Sequence, residues 1–366
     1  MAFDPAHPVL DLGESSTVLT QQICDVESVS GDETLLADAI EAALAAQAPH
    51  LEVVRDGDTI VARTHLGREQ RVVIAGHIDT VPLNANLPTR YETVDGEEYL
   101  WGRGTVDMKA GVAVQLKLAA ELTDPVVDIT WMWYDHEEVS NDLNGLTRLA
   151  RNRPDLFAGD FAILGEPSNS QVEGGCNGNL RAEIRAYGLR AHSARSWVGD
   201  NAIHKASEVL GVLAAYEPRQ VEVDGLVYRE GLNAVGISGG VAGNVIPDEV
   251  MVHVNYRFAP SRSGAEAEAH IRQLFPEFDV RIVDLAEGAR PGLDAPLAQR
   301  FVAAVGGEPK PKYGWTDVAR FSAMGVPAVN YGPGDPLKAH ADDERVRLSQ
   351  IESCEAGLRA WLTGAA

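Results

Sequence analysis

Apolar positions recur at helical spacing in two early blocks, 16–27 and 33–47. The second is rich in alanine and leucine and is stopped by Pro49, so the pattern predicts two helices ahead of any strand. Residues 51–55 and 60–64 flank Asp56-Gly57-Asp58 and predict a hairpin. Val72, Val73, Ile74 and Ala75 then run without a polar break, as expected of a sheet strand covered on both faces. Similar apolar runs predict strands over 126–133 and 161–164, with a helix ending near Leu122 between the 72–75 strand and the first of these.

The rhythm changes between residues 178 and 290. Strands are expected over 180–187, 232–238, 250–258 and 279–283, and helices over 201–216 and 264–274. The order βαββαβ over about a hundred residues is that of a ferredoxin-like unit. A helix over 295–305, a strand over 328–331 and a closing helix over 348–362 follow. The chain is therefore expected to be an α/β protein in which residues 1–178 and 291–366 form one domain and 179–290 an inserted α+β domain.

Composition narrows the partners. The sequence carries 54 acidic against 31 basic residues, a formal charge of −23, which disfavours nucleic acid and anionic lipid as ligands. Residues 1–14 hold neither a basic start nor the apolar core of a secretory signal, and no run of about 18 apolar residues could span a bilayer, so a cytoplasmic location is expected. Cys24, Cys176 and Cys354 are scattered and lack CxxC spacing, which predicts free thiols and no thiolate metal site.

Chemistry gathers at the predicted strand ends. Gly76 and His77 close the 72–75 strand, and Asp79 two residues on is placed to orient the imidazole. Asp107 precedes a helix, where an N-cap would be its ordinary role. Glu137 and Glu138 follow one strand and Glu166 another, and His340 lies in the loop before the last helix. Four carboxylates and two imidazoles at one edge of a sheet repel unless cations sit among them. Such donors without thiolates suit divalent transition metals, and a pair of ions would need one shared carboxylate and a further acid left over as base.

Five ordered motifs carry a resemblance: Gly-His-Ile-Asp-Thr-Val-Pro at 76–82, Gly-Arg-Gly-Thr-Val-Asp-Met-Lys-Ala-Gly at 102–111, Glu-Glu at 137–138, Gly-Glu-Pro-Ser at 165–168, and His340. In these the chain resembles the dizinc aminoacylase/carboxypeptidase metallopeptidase family over essentially its whole length. The resemblance implies a mixed-sheet α/β/α catalytic domain with an inserted domain serving as lid and dimer contact. It implies two divalent ions, zinc first and cobalt or manganese next, with Asp107 bridging, His77 and Glu166 on one ion, and Glu138 and His340 on the other. Glu137 would be the general base beside Asp79, and the Asp107–Met108 peptide would be cis.

Stretches 188–197, 239–248, 255–258 and 313–321 resemble more narrowly the branch of that family that removes succinate from an N-succinyl amino acid. On that resemblance, His192 would act across a homodimer in the partner's site, and Asn244, Arg257 and Thr316 would hold the substrate's carboxylates. The metal donors themselves do not read the acyl group. Hydrolysis of another acyl amino acid or a dipeptide stays open on the sequence, as does a catalytically silent binding protein, which the presence of Glu137 argues against.

Overall fold

The computed structural model describes residues 3–365, so Met1, Ala2 and Ala366, the ends of the expected outer domain, lie outside it. The chain packs as two units, one of residues up to Gly174 with Gly292–Lys310 and the stretch from Arg320, the other of Gly175–Pro291 with Pro311–Ala319.

In the first unit the sheet is ordered Glu52–Asp56, Thr59–Arg63, Asp128–Tyr134, Arg71–His77, Phe161–Leu164, Ala328–Asn330, Glu173–Gly174 and Lys310–Pro311. The middle of it is parallel: Arg71–His77 pairs in parallel with Asp128–Tyr134 on one side and Phe161–Leu164 on the other, and Phe161–Leu164 with Ala328–Asn330. Thr59–Arg63 joins antiparallel, which makes the sheet mixed. Every residue of Asp128–Tyr134 is buried, and in Arg71–His77 only Arg71 is not, as expected of strands covered on both faces. Parallel neighbours end on the same side, so His77 and the turns after Tyr134 and Leu164 meet at one edge.

Helix Lys109–Glu121 lies against Arg71–His77 and packs with Ser16–Asp25 and Leu348–Thr363 in one large apolar core. Its start comes so close to the strand ends that a Cβ at Gly111 would collide with the Gly165 carbonyl oxygen, which explains the glycine.

The second unit is built on an antiparallel sheet in the order Gly231–Gly239, Glu249–Phe258, Gly178–Tyr187, Asp279–Ala286. Burial alternates residue by residue along Gly178–Tyr187 and Glu249–Phe258, and helices Ala202–Ala214 and Gly264–Leu274 cover the buried face. The βαββαβ order expected from the sequence is present, with two short strand pairs added, Ala191–His192 with Val245–Ile246 and the hairpin Gln220–Val223 with Leu226–Arg229.

Two differences from the sequence reading have physical causes. Residues 311–319, expected in the first domain, pack with the second: Asn177 N donates to Lys312 O (3.3 Å), Trp315 Nε1 to Glu287 O (3.0 Å) and Cys176 Sγ to Thr316 O (3.7 Å). The hairpin Arg90–Val94 with Glu97–Trp101, a stretch for which the sequence pattern predicts no element, is a sheet completed by Arg345–Arg347. Both unforeseen hairpins turn on an Asp-Gly pair with positive φ, Asp95 and Gly96 at 53° and 83°, Asp224 and Gly225 at 48° and 85°. This is the signature of a two-residue hairpin turn. Cys24, Cys176 and Cys354 are buried free thiols, and among the described residues no helix is long and apolar enough to cross a membrane.

Candidate metal centre

His77 is the last residue of its strand and fully buried. Its Nδ1 lies 3.1 Å from the Asp79 carbonyl oxygen and 3.4 Å from Asp79 Oδ1, while Nε2 faces Asp107 Oδ1 at 3.0 Å. In the neutral ring that ligation requires, a proton on Nδ1 donated to the Asp79 carbonyl would leave the Nε2 lone pair aimed at the cluster. The Asp79 carboxylate, expected to orient this ring, has a further task. It accepts hydrogen bonds from the backbone N–H groups of Glu137 and Glu138 (3.0 Å each) and from Ser30 Oγ (2.6 Å). One buried carboxylate therefore steadies both His77 and the Glu137-Glu138 turn.

That turn follows Asp128–Tyr134, and His136 within it takes a left-handed φ of 58°. Glu33 supports it by accepting from His136 N at 3.1 Å. Asp107 stands just ahead of Lys109–Glu121, joined to Met108 by a cis peptide bond. It is not the helix cap; Met108 occupies that position without a capping side chain, and the Asp107 carboxylate points instead to His77 and His340. His340, at φ 63°, places Nε2 2.9 Å from Glu138 Oε1 and 3.3 Å from Asp107 Oδ2. Glu166 follows Phe161–Leu164 and is buried.

These side chains fall into three overlapping sets whose donor atoms lie within 4.8 Å of one another: His77 with Asp107 and Glu166, Asp107 with Glu138 and His340, and His77 with Glu137 and Glu138. The structure thus gathers His77, Asp107, Glu137, Glu138, Glu166 and His340 in one place, and Asp107 belongs to two of the sets. Two imidazoles, several carboxylates and no thiolate fit divalent transition ions.

Electrostatics point the same way. Burial would lower the His77 pKa, yet hydrogen bonds with Asp107 and Asp79 raise it well above the usual imidazole value. Hydrogen bonds with Asp107 and Glu138 push His340 up to about 10. Burial, with Asp107 alongside, raises Glu138. For Asp107 burial works upward, but the bonds to His340 and His77 prevail and hold it below the usual carboxylate range. With protons as the only cations, the cluster therefore keeps both imidazoles charged. Divalent ions would do that neutralising and leave the imidazoles neutral, as ligation requires.

The other expected site residues belong to the second unit. His192 ends the short strand Ala191–His192, paired with Val245, and its Nδ1 accepts from Ala194 N (3.0 Å). Ser193 N donates to Asn244 O (2.9 Å), so His192 and Asn244 sit on adjoining loops. Arg257 lies on Glu249–Phe258 opposite Asn179, its pKa lowered by burial, and Thr316 is buried in the 311–319 segment. Sequence reasoning gave no part to Ser30 or Glu33, whose hydrogen bonds to the Asp79 carboxylate and the His136 N–H join groups distant in sequence, and no local pattern announces that.

Comparisons agree with this architecture. A candidate succinyl-diaminopimelate desuccinylase of Mycobacterium tuberculosis (strain H37Rv) is 51% identical over 97% of this chain and 100% of its own length. A succinyl-diaminopimelate desuccinylase of Corynebacterium glutamicum is 47% identical over 97% and 98%. Among solved structures, a Staphylococcus aureus tripeptidase superposes with a TM-score of 0.77 at 18% identity, covering 99% of both chains. The Bacillus subtilis YXEP protein, a dinuclear metal-binding peptidase, gives 0.69 at 14% identity over 96% and 97%. Residues 73–363, which run from the strand of His77 past His340, match the model of peptidase family M20/M25/M40, and the chain belongs to that family.

Proposed function

We propose that the protein is a metal-dependent amide hydrolase that removes succinate from N-succinyl-L,L-2,6-diaminopimelate to give L,L-diaminopimelate, a precursor of lysine and of peptidoglycan. The observation that carries this reading is the identity of 47% to a desuccinylase over 97% of the chain, a span long enough to include the second-unit residues assigned to the substrate as well as the candidate metal donors. Of two ions, zinc first and cobalt or manganese next, His77, Asp107 and Glu166 would hold one and Asp107, Glu138 and His340 the other. When bound, such ions polarise an amide carbonyl and acidify water from 15.7 towards about 7.

Glu137 takes the proton of the attacking water as the new C–O bond forms, and returns it to the amine nitrogen as the C–N bond breaks. Asp79, accepting the Glu137 and Glu138 N–H groups, holds this base in place. Arg257, with Asn244 and Thr316, is assigned to the substrate's carboxylates, where a guanidinium fork fits two oxygens at once.

His192 is assigned as donor to the carbonyl oxygen in the partner's site of a homodimer. The second unit offers surface for such pairing. Gly231–Gly239 is an edge strand with Val235 and Ile237 64% and 54% exposed, and Trp197, in the turn that follows His192, is 78% exposed.

Turnover of N-succinyl-L,L-diaminopimelate, N-acetylornithine and a dipeptide by the purified protein tests the assignment. The succinyl substrate is expected to lead by roughly 10²-fold or more, because a site built for a second carboxylate leaves buried polar groups unpaired with the others. Equal or faster hydrolysis of the acetyl substrate or the dipeptide would overturn it.

A further inference from the structure

Glu344 is buried, its side chain 1% exposed, four residues past His340. Its Oε1 accepts hydrogen bonds from Val106 N (2.9 Å) and Asp107 N (3.1 Å). Its Oε2 accepts from Arg103 Nη1 at 2.8 Å, and the Arg103 side chain is itself only 4% exposed. The Glu344 backbone carbonyl accepts from Gly102 N (3.0 Å), and Arg103 Nη1 also reaches Ala341 O (3.4 Å). One residue thus ties the 102–107 turn, which presents Asp107, to the 340–344 loop, which presents His340, across more than two hundred residues of chain. Neither loop has regular structure of its own to fix it: Asp107 precedes its helix, and His340 stands at a positive φ between a 3₁₀ turn and a short strand.

A buried carboxylate close to Asp107 adds like charge to a crowded acidic site. Where metal donors are held by outer groups, those groups commonly orient them. Here Arg103 neutralises the added charge, and the carboxylate is left as a twin acceptor for two successive N–H groups.

We propose that Glu344, with Arg103, is a positioning residue that sets Asp107 and His340 at the mutual distance required to share one ion. Resting on the metal-hydrolase reading above, this makes the ion between Asp107, Glu138 and His340 more dependent on Glu344 than the ion between His77, Asp107 and Glu166. The second set does not include the 340–344 loop.

The test is stepwise titration of the chelator-stripped full-length protein with Co²⁺ alone, followed by calorimetry and visible absorbance, beside thermal melts. Two bound Co²⁺ per wild-type chain is the condition set by the functional reading, and fewer than two would count against that reading rather than against the clamp. In Glu344→Ala one of the two affinities is expected to fall about 10–100-fold while the other stays near wild type. Equal loss at both ions, tracking a lowered Tm, would reduce Glu344 to a structural residue, and two unchanged affinities would remove it altogether. Should Glu344→Ala fail to fold, Arg103→Met/Glu344→Gln removes the buried charges together and keeps an amide oxygen for Val106 N and Asp107 N. Because the pair also loses the Arg103 bonds to Glu344 and Ala341, one affinity is expected to fall while the other stays near wild type, and two unchanged affinities, or an equal loss at both that tracks Tm, would overturn the proposal.

Discussion

Glu137 shows how much a single side chain is asked to do. Its backbone N–H is held by Asp79 and its carboxylate lies in a set with His77 and Glu138. Glu137→Gln preserves shape but cannot take a proton, so kcat is expected to fall about 10²–10⁴-fold. Metal content measured by elemental analysis should stay the same; substantial residual turnover would remove Glu137 from the role of base.

A second residue, Glu230 of the second unit, permits a pH experiment on a group outside the set of metal donors. Its side chain is fully buried and accepts from Arg219 Nε and Nη2 (2.9 Å each), Tyr256 OH (3.2 Å) and Ala259 N (3.2 Å). Burial alone would raise its pKa, but Arg219 and the Ala259 N–H prevail and lower it. A lowered carboxylate pKa in the folded state contributes stability that is complete above the unfolded-state value and is lost as pH falls through the folded one. Glu230→Gln is therefore expected to cost about 1–3 kcal/mol at pH 7. The gap to wild type in thermal melts should shrink as pH drops below the ordinary carboxylate range, and a gap independent of pH would refute this account.

Among the elements, Pro296–Val305 brings the chain back to the first unit and is anchored by Phe301. That ring is fully buried, with centroids 5.0 Å from Trp361, 5.1 Å from Tyr331 and 5.9 Å from Phe161, so helix, strand and closing helix meet on it. Phe301→Ala is expected to cost about 3–5 kcal/mol in urea unfolding, since the three surrounding rings cannot close the space. The element scale is also where the sequence was most legible. Unbroken apolar runs gave the buried parallel strands, and 3.6-residue spacing gave the long helices. The Asp95-Gly96 and Asp224-Gly225 hairpins escaped because their strands are only four or five residues long and partly exposed, which leaves the turn pair as their main signal.

For the molecule as a whole, assembly is the open prediction. If His192 completes the partner's site, mixing His192→Ala with Glu137→Ala protein should regenerate activity through hybrid dimers that hold one intact site. Neither variant alone should approach it, and a mixture no more active than its parts would argue against a shared site. Gly231–Gly239, the edge strand of its sheet, is the surface through which such pairing would run.

The sequence by itself determined most of the elements and which residues are candidates for the chemistry. Apolar periodicity is written locally, and the motifs around His77, Asp107, Glu137, Glu138, Glu166 and His340 are short enough to read one at a time. Tertiary structure decided how those residues are held. Asp79 accepts from Glu137 and Glu138, Ser30 accompanies it, and Glu344 with Arg103 ties the Asp107 turn to the His340 loop. Such supports are hydrogen bonds between groups tens to hundreds of residues apart, and their worth depends on burial that only the closed fold creates. For the same reason residues 311–319 joined the second unit: a few hydrogen bonds to Cys176, Asn177 and Glu287 outweighed their place in the chain.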